Sequence, residues 1–333
     1  MRARTLYLHE WVVGGVALVN SLLLLILSPQ LLRTPDGPRL IHRAIANYLG
    51  MAKIQIFSFI GVTAAALLLY PIPAVRRHLA LETPRAIVAG LFRAAVPMLL
   101  ITVFHQSTPL WQALLRRPEQ DAALIRLDTW LFGGTNPTVW LQHIITKPLT
   151  DYMWAVYLAW FVAFQGTMYL LRALRPARPW ADMTLGTMMT LVLGYVGYVL
   201  VPAVGPVHAM AASFTVSLDG SAIGAITNGV VDRFGVWRDA FPSIHAAVSM
   251  LLIIYAWRYL PRWRIPYTVL GVSILFSTVY LRWHYVVDVM AGMALSLFCA
   301  WLSPRLLAWH ARLRPVSSPE PLAATERSRA TSP

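Results

Sequence analysis

Two short strings hold the residue types from which a reaction centre can be built: AFPSIHAA, from Ala240 to Ala247, and STVYLRWHYVVDVMAG, from Ser277 to Gly292. In the first, Pro242 suits the start of a helix and Ser243 can satisfy its orphan amides. Such amides, with the helix dipole, form a ready site for an anion, and His245 follows within the first turn. In the second, His284 and Asp288 stand four residues apart, so on a helix the carboxylate comes near the imidazole. An acid beside a histidine fixes its tautomer and supports its cation, which frees the other nitrogen to attack or to take a proton. The same three side chains are also a donor set for zinc or iron, but on that reading the Pro-Ser helix start has no purpose. The expected site therefore uses neither metal nor cofactor. A single histidine at a membrane edge is ordinarily just solvated, whereas an aspartate inside a span is rare and usually functional. The weight falls on the combination.

What must position these residues is a set of membrane helices. The chain is 57% hydrophobic and 13% charged, about half the charge of a soluble protein. Its apolar residues come in blocks of roughly twenty, the length that crosses a bilayer. This excludes a soluble enzyme and a disordered or collagenous chain. Eight spans are read, at 11–32, 51–72, 86–106, 152–171, 183–204, 243–260, 265–283 and 285–303. No small-residue cleavage site follows the first, so it is expected to remain as a span rather than leave as a signal peptide. The single cysteine, Cys299, lies inside the last span, which leaves no intramolecular disulfide and no cysteine-based metal cluster.

The formal charge of +14 reports topology. With the N-terminus in the cytoplasm, 16 of the 28 basic residues fall on the cytoplasmic side with five acids, and 11 fall outside with nine. Arg93 lies within a span. That asymmetry is the positive-inside rule. No basic stripe or reading motif accompanies it, so nucleic acid is not expected as a partner. Of the basic residues only Lys53 and Lys147 are lysine; the arginine bias suggests a high-GC bacterial genome, hence a bacterial inner membrane. Both strings then reach the outer face.

The expected organisation is three N-terminal transmembrane helices over 1–106, a catalytic membrane domain over 107–303 and a cytoplasmic tail over 304–333. The stretch from Val316 to Pro333, rich in Ser, Pro, Ala and Thr, is expected to be disordered. Within the catalytic domain, the segment 107–151 carries Leu124, Leu127 and Leu131 at helical spacing, with Arg126 and Asp128 between them and Trp111, Trp130 and Trp140 flanking. This fits interfacial helices, serving either as scaffolding or as a lip around a lipid entrance. The loop 205–241 joins two spans, and loops so long tend to be functional or disordered.

These motifs resemble those of the type 2 phosphatidic acid phosphatase superfamily. Its second motif, Pro-Ser-Gly-His, is matched by Pro242, Ser243 and His245, with Ile244 in place of glycine. Its third, Ser-Arg, five residues, His, three residues, Asp, is matched by Ser277, His284 and Asp288, with Thr278 in place of the phosphate-binding arginine. The first motif, Lys, six residues, Arg-Pro, has no counterpart at the outer face, because Arg175-Pro176 and Arg178-Pro179 fall on the other side. VPAVGPVHA, Val201 to Ala209, stands there instead. FPSIHA, TVYLRWHYVVDVMAG, VPAVGP and LDTWLFGGTNP, the last from Leu127 to Pro137, are similar to the inositol phosphorylceramide synthase (inositolphosphotransferase-like) branch and its bacterial relatives. The likeness runs from Leu127 to Ala300.

Spans and resemblance together imply an all-α, polytopic membrane helix bundle of about eight transmembrane helices, with a six-helix phosphatase-type core and interfacial helices. The resemblance implies that His284 is the nucleophile, oriented by Asp288 and forming a phosphohistidine. It implies that His245 protonates the leaving oxygen and then deprotonates the incoming one, and that Ser243 and neighbouring amides hold the phosphoryl oxygens. Phosphoryl transfer also needs cations; with both family positions altered, Arg282, Arg238 and His208 are nominated as replacements. Arg282 is two residues from His284 and serves only if the chain there is not helical; otherwise it snorkels to headgroups. The expected activity is a lipid phosphotransferase that moves a phosphoinositol-like or other phosphorylated headgroup, with a lipid phosphate or phospholipid as its partner. Two other readings stay open. In one, water resolves the intermediate and the protein is a phosphatase of phosphatidate, sphingolipid phosphate or polyprenyl (pyro)phosphate. In the other, it is a catalytically inactive lipid transporter or scaffold. Fold and family do not settle the substrate.

Overall fold

The computed structural model describes residues 7–78, 83–175, 177–218, 222–226, 229 and 236–313. Asp232, Arg233 and the tail from residue 314 onward lie outside the described residues. Among those described, every regular element is helical. The principal helices are α1 (Leu8–Leu32), α2 (Gly37–Leu69), α3 (Pro84–Leu115), α4 (Asp121–Leu131), α5 (Lys147–Leu174), α6 (Ala177–Leu200), α7 (Ile244–Tyr259), α8 (Arg264–Tyr280) and α9 (Val286–Leu313). The helices α1, α2, α3, α5, α6 and α9 are long and apolar enough to cross a membrane.

Eight of these helices overlie the eight expected spans, but several ends differ. α2 begins at Gly37 rather than at residue 51, α3 runs on to Leu115, and α9 continues through Pro304 to Leu313. The apolar window finds only the part of a helix that lies in hydrocarbon, while the backbone stays helical into the polar region beyond it. α7, with 16 residues, rises only about 24 Å. It is flanked by α5, α6, α8 and α9, and Ala246, Ala247, Val248, Leu251, Leu252, Tyr255 and Ala256 are all buried. A helix apolar on all sides belongs in the middle of a bundle. α3 closes against α5 and α6, and both α1 and α2 lean on α3. α2 buries little beyond Gly37 and turns Ile54, Phe57 and Leu68 outward.

Four prolines lie inside these helices, Pro29, Pro97, Pro109 and Pro304, and each removes an amide that would have bonded the carbonyl four residues back. For Pro29, Pro109 and Pro304 another donor takes that carbonyl. Ser28 Oγ donates to Leu25 ahead of Pro29, and Thr108 Oγ1 donates to His105 ahead of Pro109. Arg258 Nη1 donates to Ala300 at 2.9 Å, which is what lets α9 continue past Pro304. In hydrocarbon such replacement is obligatory.

The short helix α4 lies across the end of the bundle where α7 and α9 begin, in contact with α9. Its inward face is Asp121, Leu124 and Asp128, whereas Leu127, Trp130 and Leu131 point outward. The leucine stripe is therefore split, and two of the three side chains on the buried face are acids.

Candidate active site

α7 starts at a serine cap: Ser243 Oγ accepts from the Ala246 amide at 3.2 Å, as its residue type leads one to expect. The Ser243 amide donates to the Asp288 carbonyl at 3.0 Å. A Cβ on Gly292 would lie 2.2 Å from the Ser243 carbonyl, so only glycine lets α9 come this close to the start of α7. That approach brings the two motifs together. The ring centroids of His245 and His284 are 5.8 Å apart, within reach of a single phosphoryl group at contact distances near 3 Å.

His284 sits in the turn between α8 and α9, not on a helix. Its Nδ1 is 2.9 Å from the Ala240 carbonyl and 3.6 Å from Asp288 Oδ2. A carbonyl can only accept, so in the neutral ring Nδ1 carries the proton and Nε2 the lone pair. The group that fixes this tautomer is thus Ala240, with Asp288 standing beside it as a negative charge. Asp288 Oδ2 also accepts from the Tyr285 amide at 2.9 Å, while Oδ1 is buried without a hydrogen-bond partner. His245 is stacked on Tyr157 at 4.6 Å and packed against Trp160 at 4.4 Å. Its Nε2 is buried and unpartnered, as are Arg282 Nε and Trp283 Nε1. Buried polar groups are nearly always paired; here one nitrogen of the imidazole pair, on His245, and one oxygen of the carboxylate beside the other ring, on Asp288, are not.

The three nominated cations all lie at this end of the bundle. The chain at Arg282 is not helical, with φ 67°, so the condition for its use is met. Its guanidinium lies over the Phe214 ring at 4.1 Å and donates to the Val216 carbonyl at 2.6 Å; burial pulls its pKa down. Arg238 pairs with Glu119 at 2.8 Å, and the His208 ring packs on Trp237 at 4.4 Å. None of these contacts is with a histidine of the pair. Among the described residues, no group of three His, Cys, Asp or Glu side chains is arranged as a metal-ligand set. An open hollow of about 500 Å³, lined by Ile125, Arg126, Thr129, Trp130, Gly133 and Gly134, opens beside α4 and holds none of the expected site residues.

Three acids that the motif reading did not select build the site. Asp128 accepts from the Val286 and Val287 amides at 2.9 Å each, capping α9 from a different helix; burial lifts its pKa and the two amides oppose that. Asp121 accepts from the Val204 and Gly205 amides at 2.9 and 3.0 Å and from the Tyr285 hydroxyl at 2.9 Å. Gly205 has φ +83°, and a Cβ there would fall 2.5 Å from the Trp283 carbonyl, which accounts for the glycine of VPAVGP. Asp239 directly precedes Ala240. Desolvation lifts its carboxyl to about 6, opposed by the nearby His284. Only Asp128 carried a signal, its place in LDTWLFGGTNP.

Comparison with known proteins bears on this arrangement. A PA-phosphatase related-family protein of Dictyostelium discoideum is 34% identical over 74 residues, which are 22% of this chain and 13% of that protein. The inositol phosphorylceramide synthase catalytic subunit aur1 of Schizosaccharomyces pombe is 34% identical over 67 residues, 20% of this chain and 16% of that protein. The chain thus aligns with less than a fifth of either relative. No solved structure matches it. The family model of the PAP2 superfamily matches residues 122–302, from the first turn of α4 into α9 and more than half of the chain, and on that match this helical membrane protein belongs to the PAP2 superfamily.

Proposed function

We propose that the protein is a lipid phosphotransferase working through a phosphohistidine on His284. The observation that carries this reading is the imidazole pair at 5.8 Å, with Nδ1 of His284 committed to the Ala240 carbonyl. Nε2 of His284 attacks the phosphorus of a lipid donor, an N–P bond forms, and the P–O bond to the leaving group breaks. His245 gives its proton to the departing oxygen. An alcohol acceptor then attacks the same phosphorus, its hydroxyl proton passes to His245, and the N–P bond breaks, so both histidines return to their starting states. Asp288 supports the positive charge of the His284 ring while phosphorus is attached. Ser243 and the first amides of α7 hold the phosphoryl oxygens, and Arg282 is the cation closest in sequence.

Transfer of a phosphorylated polyol headgroup is favoured by the similarity to the inositol phosphorylceramide synthase subunit. It is favoured too by the segment after α6, which is strapped across this end of the bundle and can keep water from the intermediate. The similarity to a PA-phosphatase related-family protein supports the second reading, in which water takes the acceptor's place and phosphate is released. The charge distribution favours both termini in the cytoplasm and a site facing the periplasm of a bacterial inner membrane. Purified protein given a lipid donor labelled on phosphorus, with and without lipid-alcohol acceptors, separates the readings. A new phosphorylated acceptor supports transferase; free phosphate whatever the acceptor supports phosphatase; no turnover supports an inactive transporter or scaffold.

A further inference from the structure

At the end of the bundle away from the histidine pair, three rings meet. Tyr7, just ahead of α1, stacks on His9 at 5.5 Å, and the two lie edge to face with Trp180 of α6 at 5.2 and 4.9 Å. Two guanidiniums cover these rings. Arg93 of α3 lies over Tyr7 at 4.7 Å, and Arg172, in the last turn of α5, lies over Trp180 at 5.1 Å. Side chains from α1, α3, α5 and α6 thus converge on one spot, and α1 and α3 precede the family match. His9 and Trp180 are fully buried, while Tyr7 and Arg172 keep intermediate exposure. The cluster has a closed floor and a partly open rim.

The polar atoms of this cluster are unmatched. Both ring nitrogens of His9, Nε1 of Trp180 and Nε of Arg172 are buried without a hydrogen-bond partner. In either neutral tautomer His9 supplies an N–H, so three adjoining side chains each hold a donor that has no acceptor. Buried donors are nearly always paired, and buried charges more so. The charges do not balance either. Two acids described at this end, Glu10 and Asp182, are already taken. Glu10 pairs with Arg93 at 2.9 Å and accepts from the Tyr7 amide at 2.6 Å. Asp182 accepts from Tyr259 and Ser303 and lies 3.5 Å from Arg258. Arg172 has no acidic partner among the described residues. Donors without acceptors, beside a cation without a counter-charge, call for an anion.

We infer that this cluster binds the phosphate of a phospholipid in the leaflet opposite the histidine pair. Arg172 is the anchoring cation, since its planar fork matches two phosphate oxygens, and Trp180 Nε1–H and the His9 N–H donate to the same group. The guanidinium covers the Trp180 ring, so it moves aside as the phosphate enters. A lipid is the source because the cluster lies at helix ends, the level of headgroups. Trp11 and Phe92, next in sequence to Glu10 and Arg93, are also exposed there as apolar surface for acyl chains. Trp180 is two residues from Asp182, which locks α6 to α7 and α9, so the bound lipid stabilises the bundle. The site is independent of what the histidine pair does, whether transfer or hydrolysis.

The test uses the full-length protein, delipidated in a mild non-ionic detergent and titrated with phosphatidylglycerol, with diacylglycerol of the same chains, or with inorganic phosphate. Bound lipid is counted by native mass spectrometry, and the melting temperature is followed alongside. Phosphatidylglycerol should bind saturably and raise the melting temperature; neither diacylglycerol nor inorganic phosphate at the same concentration should do so. Arg172→Gln should weaken that binding about tenfold to a hundredfold, the worth of hydrogen bonds to a charged group. Arg178→Gln removes an exposed charge at the same end and should cost no more than about fivefold. Trp180→Phe keeps a ring without the N–H and should cost about tenfold. His9→Phe does the same at the second donor, so one folded variant of the two suffices. His284→Ala should bind as wild type does, which separates this lipid from one held by the histidine pair. Equal losses in Arg172→Gln and Arg178→Gln, or full affinity in a folded donorless variant, would overturn the assignment. So would diacylglycerol binding as tightly as phosphatidylglycerol to the wild type, a comparison that needs no variant. An equal effect of inorganic phosphate would overturn the lipid as the source of the anion.

Discussion

On the proposed mechanism a histidine that attacks phosphorus must keep one nitrogen unprotonated, and at His284 the carbonyl of Ala240 would decide which one it is. That division of labour predicts different failures for the two imidazoles. His284→Ala should form no phosphoenzyme, because the attacking nitrogen is gone. His245→Ala should lose about 10²–10⁴-fold on lipid esters with poor leaving groups, the usual worth of a general acid, and far less on an activated aryl phosphate, whose leaving oxygen needs no proton. Equal losses on both substrate types, measured as kcat/KM, would contradict the roles. Asp239 gives a separate handle. Its carboxyl is lifted from 3.8 to about 6, so the folded protein holds this proton to higher pH than the unfolded chain does. Its contribution to stability is full below the unfolded value and is lost as pH rises through about 6. Asp239→Asn removes the titration. Its melting temperature relative to wild type should therefore climb between about pH 4 and about pH 7, and a flat difference across that range would refute the assignment.

At the scale of the element, the site depends on helix starts held by side chains from elsewhere. Asp128 on α4 supplies both acceptors for the first two amides of α9, and α9 carries Asp288. Asp128→Ala would strand a buried amide (Val287) and a part-buried one (Val286), a lost partner for a buried group costing about 1–3 kcal/mol. We expect a loss of roughly 2–5 kcal/mol in unfolding stability together with lost turnover, since Asp288 would no longer be held in register. Asp128→Asn, keeping one acceptor oxygen, should fall between the two. The segment after α6 is held in a similar way. Gln142 accepts from the Thr215 and Val216 amides at 2.7 and 3.1 Å and donates to the Ser213 carbonyl at 3.1 Å, while Arg282 takes the Val216 carbonyl. Gln142→Ala should loosen this strap and raise hydrolysis relative to transfer, counted as labelled phosphate against labelled acceptor product; an unchanged ratio would show that the strap is not the water barrier. These anchors explain what the sequence could and could not disclose. The spans and the two histidine motifs are local patterns, readable from apolar blocks and from short strings. Asp128 acts on an amide 158 residues away, and Asp121 and Gln142 likewise act far along the chain, so no window of sequence holds both partners. The ends of α2 and α9 escaped for a related reason, because hydropathy stops where lipid stops and helical hydrogen bonding does not.

At the scale of the whole molecule, the two ends of the bundle are fastened by different chemistry. At the end away from the histidines, Asp182 of α6 is buried and accepts from Ser303 of α9 and from Tyr259 of α7 at 2.5 Å, while Tyr255 donates to its carbonyl at 3.1 Å. An ionisable group inside a membrane protein is costly unless paired, and here its partners lock three helices together. At the histidine end the fasteners are Asp121, Asp128 and Gln112, each serving backbone amides or carbonyls of chain outside regular helix or at a helix start. A bundle locked by a buried acid at one end and tethered through loops at the other suits the proposed two-substrate reaction, and on that reading the side of the membrane on which the loops lie is decisive. On the topology proposed from the positive-inside pattern they lie outside. Cys299, the only cysteine, is fully buried, so cysteines introduced elsewhere can be labelled against a low background. Ser213 and Arg77 are both exposed, the first beside the histidine end and the second on the turn between α2 and α3. A membrane-impermeant maleimide should label Ser213→Cys in intact bacterial cells and Arg77→Cys only after the cells are permeabilised. The reverse pattern would place the histidines in the cytoplasm, where the donor and acceptor would have to come from the inner leaflet and the proposed outer-face chemistry would be excluded.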